Sequence, residues 1–237
     1  MKLNKKKVVV VALAVAVFAL TVGGTLAWFN ATDEVTNKFQ VATSDDGAPD
    51  FAIDVKENKT DASGKNFVDE DQDGQYDLTD TGNTYTYVVP DDVIKKNPTI
   101  TNTGDYDQWV RVNISITRAF ADQVAEEQGV DYKELDLTKL FNNTFNTAAF
   151  EATREVVTPY ADYYTYCYYV AAPLAPNGVI QVFDEIHIPG TFEQPDMSYG
   201  SFQVIVKAEA VQADNTGTSA SAAFRYVEWE AGTAYDK

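Results

Sequence analysis

The clearest fold signal in this chain is the stretch Val110-Arg111-Val112-Asn113-Ile114-Ser115-Ile116, in which apolar and polar residues alternate without a break. A period of two is typical of a β-strand that buries one face, so the polar residues of this stretch are expected to face water. Similar alternation occurs at residues 35–41, 51–55, 85–89 and 180–188. Residues 202–211 are more continuously apolar and predict a central strand.

Turn residues separate these predicted strands, and no alternation of strands with long helices is present. This organisation predicts an all-β fold, an antiparallel β-sandwich. Short helices are predicted at residues 119–128 and 132–141, within an insertion spanning 119–159, and at residues 219–230 near the C-terminus. We expect residues 28–237 to form one domain.

The N-terminus predicts a secretory signal peptide. Four lysines precede the apolar run Val8–Leu20, and the small residues Thr25 and Ala27 precede a predicted cleavage site between Ala27 and Trp28. Residues 1–27 are therefore expected to be removed.

An uncleaved membrane anchor is the alternative, because residues 8–29 carry no charge and approach the roughly 20 residues that cross a bilayer. In both cases the lysines keep the N-terminus inside, so the rest of the chain is expected to be secreted or at the cell surface. Contact with the membrane is expected only through the uncleaved signal peptide. Cleavage removes four lysines and no acid, which lowers the net charge from −18 to −22 and favours attraction of divalent cations.

Composition excludes several classes of protein. With 45% hydrophobic and 13% aromatic residues in 237, the chain can bury a core. The 36 acidic and 18 basic residues produce a field that repels phosphate backbones, so no nucleic-acid partner is expected. A single Cys excludes an intrachain disulfide, and a single His excludes a zinc site built from two histidines.

Catalytic signals are weak. The sequence lacks the H-E-x-x-H and G-x-S-x-G motifs, a phosphate-binding loop and a dinucleotide glycine pattern. His187 lies between two isoleucines on a predicted strand, where a structural role is the commoner one. Cys167 is expected to be a small buried hydrophobe. No catalytic residue is therefore predicted.

The strongest chemical motif is the acidic loop, residues 69–80, with the sequence DEDQDGQYDLTD. Calcium prefers about six to eight oxygen ligands, and a D-x-D-x-D-G pattern provides carboxylates at alternate positions with a glycine at the turn. The predicted calcium ligands are Asp69, Asp71, Asp73, Gln75 through its backbone carbonyl, Asp77 and Asp80. Asp80 stands where calcium loops usually carry Glu, and flanking helices are not evident, so the alternative is a solvated acidic turn.

Tyrosines dominate the predicted strand at Tyr160–Val170. They are compatible with a surface that stacks a ligand, as in carbohydrate binding. The alternative, which is the commoner role for such a strand, is that the rings pack in the sandwich while the hydroxyls stay hydrated.

Several segments are similar, in their order along the chain, to one protein family. They are residues 23–33 at the predicted cleavage site, residues 35–41, residues 96–104 with 109–112, the Tyr-rich strand leading to residues 174–178, and residues 202–215. Together they resemble the TasA/camelysin family of secreted proteins of Gram-positive bacteria, which a SipW-type signal peptidase processes.

The resemblance implies a jelly-roll sandwich that assembles into extracellular fibres of a biofilm matrix, with other copies or related subunits as partners. In that family the N-terminal segment inserts as a strand into the next subunit, which is called donor-strand complementation. The candidate donor strand here is residues 28–41, with the assembly residues Trp28, Phe29, Val35, Phe39 and Val41. The alternative is that residues 34–41 form the first strand of their own sandwich.

The camelysin branch of the resemblance implies a surface metallopeptidase, and a further alternative is an accessory or anchoring protein that does not polymerise. One His without an H-E-x-x-H motif gives the peptidase little support. The acidic loop and the insertion at 119–159 are not part of the resemblance. The sequence therefore predicts a secreted structural subunit of biofilm-matrix or cell-surface fibres that binds calcium and is not an enzyme.

Overall fold

The computed structural model describes residues 30–34, 37–39, 51–86, 88–157, 162–190, 202–214 and 216–226. In these residues twelve β-strands form three antiparallel sheets. The strands are β1 (Asn30–Glu34), β2 (Asn37–Phe39), β3 (Ile53–Asn58), β4 (Leu78–Thr79), β5 (Val93–Lys95), β6 (Thr99–Asn102), β7 (Gln108–Thr117), β8 (Glu155–Val157), β9 (Tyr163–Tyr169), β10 (Val179–Gln181), β11 (Glu185–His187) and β12 (Val204–Gln212).

The largest sheet has six strands in the order β2-β1-β12-β7-β9-β8. A second sheet has the order β10-β6-β3-β4, and β11 pairs with β5 in a third. One apolar core joins the first two sheets, with Val112 and Ile114 from β7 and Val55 from β3 among its buried residues. The predicted all-β antiparallel sandwich is confirmed.

Helices are short and lie on the insertion and near the C-terminus. They are α1 (Arg118–Gln128), α2 (Leu137–Leu140) and α3 (Ala220–Ala223), with 3-10 turns at Tyr132–Glu134, Thr147–Ala149 and Phe224–Tyr226. Helix α1 buries Phe120 and Val124 and ends at Gly129, whose φ of 68° is left-handed. Among the described residues, none of the helices has the length and hydrophobicity of a membrane span, and the predicted signal peptide lies outside these residues.

Two of the predicted helices differ from the observed ones. The helix predicted at 132–141 is split, because the side chains of Asp131 and Asp136 accept bonds from backbone N–H groups two residues ahead and start two separate turns. The helix predicted at 219–230 starts after the cap residue Ser219 and continues as a 3-10 turn. Residues 227–230 lie outside the described chain.

Strand β7 confirms the strand predicted at 110–116, but the expectation of a hydrated face is wrong. Arg111, Asn113 and Ser115 are all buried. The Arg111 guanidinium lies 4.6 Å from the centroid of the Phe224 ring, so the C-terminal turn covers part of this face. Hydrogen-bond partners within the sheet replace water. For example, the hydroxyl oxygens of Ser115 and Thr165 lie 2.7 Å apart.

Three other predicted strands also require correction. Residues 84–86 and 88–89 form no strand, because the Tyr85 hydroxyl donates to the Lys95 carbonyl and Thr86 N–H donates to the Ala62 carbonyl. Residues 180–188 divide into β10 and β11, which belong to different sheets. Within the strand predicted at 35–41, residues 37–39 form the short strand β2, which pairs with β1 with Glu34 opposite Asn37, and the other residues of that prediction lie outside the described chain.

Candidate functional site

The acidic loop is held at its base by backbone hydrogen bonds. It follows β3 and includes β4 near its end, and these two strands pair with Glu57 opposite Thr79. Lys59 N–H donates to the Asp77 carbonyl at 2.7 Å, and Asp77 N–H donates to the Val68 carbonyl at 3.0 Å. The two ends of the loop therefore start from a fixed backbone frame.

Three carboxylates meet inside this loop. One oxygen each of Asp69, Asp71 and Asp73 lie within 4.8 Å of one another. The Asp69 carboxylate accepts from Gly74 N–H at 2.9 Å, and the Asp73 N–H lies 3.2 Å from oxygens of both Asp69 and Asp71. Gly74 has a φ of 90°, which side chains with a Cβ rarely allow. The loop therefore curls around its own carboxylates.

The other two predicted aspartates lie outside this group. The Asp77 carboxylate accepts from Glu70 N–H at 2.8 Å, which links the start and end of the loop. Asp80 is exposed and follows the paired residues of β4, and Gln75 is also exposed. The structure thus groups three of the five predicted aspartates.

Glu70 is a loop residue that the ligand spacing does not identify. Its carboxylate lies 3.0 Å from the Lys59 ammonium, and this hydrogen bond is the main cause that raises the pKa of Lys59. Since both side chains are exposed, the pair contributes little to stability. Its effect is to bring a cation beside an otherwise acidic loop.

The grouped oxygen atoms of the loop are suitable ligands for a hard cation. Only oxygen donors are grouped, and calcium prefers carboxylate and carbonyl oxygens to nitrogen or sulfur. Asp71 and Asp73 are exposed, so a cation would keep part of its water shell. In the described residues, this is the one group of three or more His, Cys, Asp or Glu side chains close enough to share a metal ion.

The single His and the single Cys do not form a common site. The His187 Nε2 atom lies 3.9 Å from an Asp91 oxygen, and the His187 side chain is 35% exposed. Cys167 is buried in β9, as expected, and burial raises the pKa of its thiol to about 12. A thiol with such a pKa stays protonated near neutral pH and is a poor nucleophile.

The Tyr-rich strand β9 attaches the insertion to the sandwich. Tyr164 stacks on Tyr132 with ring centroids 3.9 Å apart, and the Tyr166 hydroxyl donates to the Tyr132 carbonyl at 2.7 Å. Tyr168 contacts Phe145 and Phe150 of the insertion. These rings pack in the core, so the described structure gives no exposed stacking surface on this strand.

The N-terminal strand lies inside the largest sheet. Strand β1 is antiparallel to β12 over five residue pairs, from Asn30 opposite Val211 to Glu34 opposite Lys207. Of the predicted assembly residues, Phe39 ends β2. Trp28, Phe29, Val35 and Val41 lie outside the described residues, as does the predicted cleavage site at Ala27 and Trp28.

Comparison with known proteins gives one match. The family described as camelysin metallo-endopeptidase matches residues 2–158, which is more than half of the chain. No curated protein and no solved structure matches the chain. The matched residues include the acidic loop, whereas His187 and Cys167 both follow the match.

Proposed function

This chain belongs to the camelysin metallo-endopeptidase family, and we propose that it is a structural subunit of extracellular fibres assembled by exchange of the N-terminal strand. Family membership makes it a surface or secreted protein of that family. The observation that carries the proposal is the pairing of β1 with β12 directly after the predicted cleavage site. The segment that processing would free is the segment that completes the sheet.

Strand β12 needs a partner on the side that β1 occupies. Its other neighbour is β7, and its residues Ala208, Ala210 and Val211 are buried. Without β1, a row of backbone N–H and C=O groups in a largely apolar strand would face solvent, which favours pairing with another chain. Strand β12 is therefore a suitable acceptor.

A second copy supplies an equivalent donor. Its β1 can make the same backbone bonds to β12 in the same register, so exchange needs no new interface. Because each copy carries one donor and one acceptor, the exchange joins subunits head to tail and extends a filament unless a ring closes. Partners of this chain are accordingly further copies or related subunits.

Removal of the signal peptide acts as the assembly switch in this proposal. The predicted cleavage after Ala27 leaves two residues before β1. An uncleaved apolar segment would hold β1 at the membrane and prevent it from reaching another subunit. Processing by a SipW-type signal peptidase would release the donor outside the cell.

Calcium binding at the acidic loop is the second part of the proposal. The oxygens of Asp69, Asp71 and Asp73 within 4.8 Å of one another support it, as does their access to solvent. The affinity expected for exposed extracellular loops is roughly millimolar to submillimolar. Calcium would screen the three carboxylates and stabilise the loop without taking part in a reaction.

Metal-dependent proteolysis is the competing function, since the family is described as a metallo-endopeptidase. A catalytic zinc site ordinarily has three protein ligands and an open position for water. The matched residues contain no His and no Cys, and His187 has an aspartate as its charged neighbour. These observations favour the structural function.

Electron microscopy of purified chains tests the proposal, using the protein that starts at Trp28 with calcium at about 1 mM. The matched controls are a chain that lacks residues 28–41 and one in which residues 30–34 are replaced by Gly and Ser. Filaments are expected only from the unaltered chain, and a synthetic peptide of residues 28–41 should bind the shortened one. Monomers of the unaltered chain at every concentration, or peptide hydrolysis that zinc restores after chelation, would overturn it.

A further inference from the structure

A lysine, a glutamate and an asparagine meet beside the base of the acidic loop. Lys96 is 5% exposed and Glu57 is 1% exposed. The Lys96 Nζ atom lies 2.7 Å from Glu57 Oε2, and the other oxygen, Glu57 Oε1, accepts from Asn83 Nδ2 at 3.0 Å. One buried carboxylate thus contacts both an amine and a primary amide.

Both polar atoms of the Asn83 side-chain amide have hydrogen-bond partners. Its Oδ1 accepts from Thr60 N–H at 2.9 Å, and its Nδ2 also donates to the Asn58 carbonyl at 2.8 Å. The backbone N–H of Asn83 donates to Glu57 Oε1 at 2.9 Å. A backbone N–H aimed at the amide oxygen is placed where negative charge would develop if a nucleophile attacked the carbonyl carbon.

We propose that Lys96 and Asn83 join spontaneously in an isopeptide bond, with Glu57 as the group that transfers protons. Glu57 accepts a proton from the Lys96 ammonium, and the neutral Nζ attacks Asn83 Cγ. Thr60 N–H stabilises the oxygen of the tetrahedral intermediate. As the bond from Cγ to Nδ2 breaks, Glu57 donates a proton to the departing nitrogen and receives one from Nζ.

The reaction is balanced without an added reagent. A lysine ammonium, a glutamate carboxylate and an asparagine amide give one secondary amide, one molecule of ammonia and one protonated glutamate. No oxidant or reductant takes part. The flexible four-carbon stem of Lys96 allows its amine to move from Glu57 to the neighbouring amide.

Burial distinguishes this lysine from the paired lysines around it. The side chains of Lys59 and Lys95 are 39% and 32% exposed, and each pairs with a carboxylate at the surface. A buried charge pair loses hydration that the attraction between the charges repays only in part. Conversion of the Lys96 amine and the Asn83 amide to a secondary amide, with the released proton kept on Glu57, leaves neither partner of the buried pair charged and favours the product.

The bond would join two separate parts of the fold. Asn83 ends the segment that carries the acidic loop, and Lys96 lies between β5 and β6. A covalent link across residues 83–96 would keep this segment attached to the four-stranded sheet when the chain is pulled or heated. Such a link suits a protein exposed outside the cell.

Intact mass spectrometry of the folded full chain tests the proposal. The chain is expected to be lighter than its composition by one molecule of ammonia, and peptide mapping is expected to recover residues 83 and 96 in one linked fragment. Lys96→Arg and Glu57→Gln should each have their full mass. The matched control Lys95→Arg, at the partly exposed neighbour, should retain the deficit.

Asn83→Asp adds a second test of the leaving group, because the same bond would then release water in place of ammonia. If the unaltered folded chain has its full mass, the proposal is wrong, and this result does not depend on whether any variant folds. A deficit that maps to other residues also overturns it. Fibre formation has no bearing on either result.

Discussion

Strand β7 and the acidic loop are similar in length, but different forces hold them in place. In β7, nine of ten residues are buried, and the strand lies between β12 and β9. In the loop, every residue from Asp69 to Asp80 is at least partly exposed, and hydrogen bonds to its own carboxylates define the turns. The strand therefore depends on packing, whereas the loop depends on hydrogen bonds to its charged side chains.

The largest expected effect is a loss of packing in β7. Ile114→Ala removes a fully buried side chain and should lower the free energy of unfolding by about 2–5 kcal/mol. The matched control Val179→Ala, at a side chain that is 59% exposed, should change it by less than about 0.5 kcal/mol. Urea unfolding measures both, and equal effects would contradict the contrast between packed and exposed positions.

A smaller effect is expected from the partly buried charge pair on the other face of β7. The Arg111 Nε atom donates to Glu209 Oε2 at 2.5 Å, and Asn113 Nδ2 donates to the same oxygen at 3.0 Å. Glu209→Gln keeps an acceptor but removes the charge opposite a buried arginine, and should cost roughly 1–3 kcal/mol. Urea unfolding measures this loss. Glu126→Gln on the exposed side of α1 is the control, and a similar loss there would contradict the account.

Calcium is expected to act on the loop and not on the strand. At about ten times the dissociation constant, bound calcium should stabilise the chain by about 1.4 kcal/mol, seen as a rise in melting temperature that chelation reverses. Asp71→Asn should remove this rise while its side-chain oxygen still accepts from Asp73 N–H. Glu126→Gln should retain the full rise, and an unchanged response in Asp71→Asn would show that calcium binds elsewhere.

The smallest effect is expected from acid. Hydrogen bonds from the Ser63 hydroxyl and the Asn66 amide lower the pKa of Asp61 from 3.8 to about 2. Since the folded pKa is the lower one, this contribution is present above pH 3.8 and is lost as the pH falls towards 2. In Asp61→Asn, the melting temperature should decrease less between pH 3.8 and about 2 than in the unaltered chain. An equal decrease in both chains would contradict a lowered pKa at Asp61.

The sequence correctly predicts the elements that contain a long, regular set of buried residues. Alternation locates β7, and a continuous apolar run locates β12, because both strands bury most of their side chains. The same alternation at residues 85–89 predicts a strand, but the described residues there do not form one. Tyr85 packs so closely on Gly64 that a Cβ there would lie 2.6 Å from its ring, and the local backbone bonds to other loops.

The sequence predicts only those contacts of the acidic loop that form between residues close together in the chain. The spacing of Asp69, Asp71 and Asp73 brings their carboxylates together through a single turn. The position of Asp80 depends on the pairing of Leu78 and Thr79 with β3, which spacing alone does not reveal. The contact between Glu57 and Lys96 joins residues 39 apart, so no local pattern indicates it.

Strand exchange is the central claim, and disulfide trapping tests it most directly. Ala31 of β1 is opposite Ala210 of β12, so cysteines at both positions, in a chain that starts at Trp28 and carries Cys167→Ser, would lie at paired sites. If each β1 lies in the next subunit, oxidation should give a ladder of covalently linked chains on a non-reducing gel. Oxidised monomers alone, under conditions that give filaments, would contradict strand exchange.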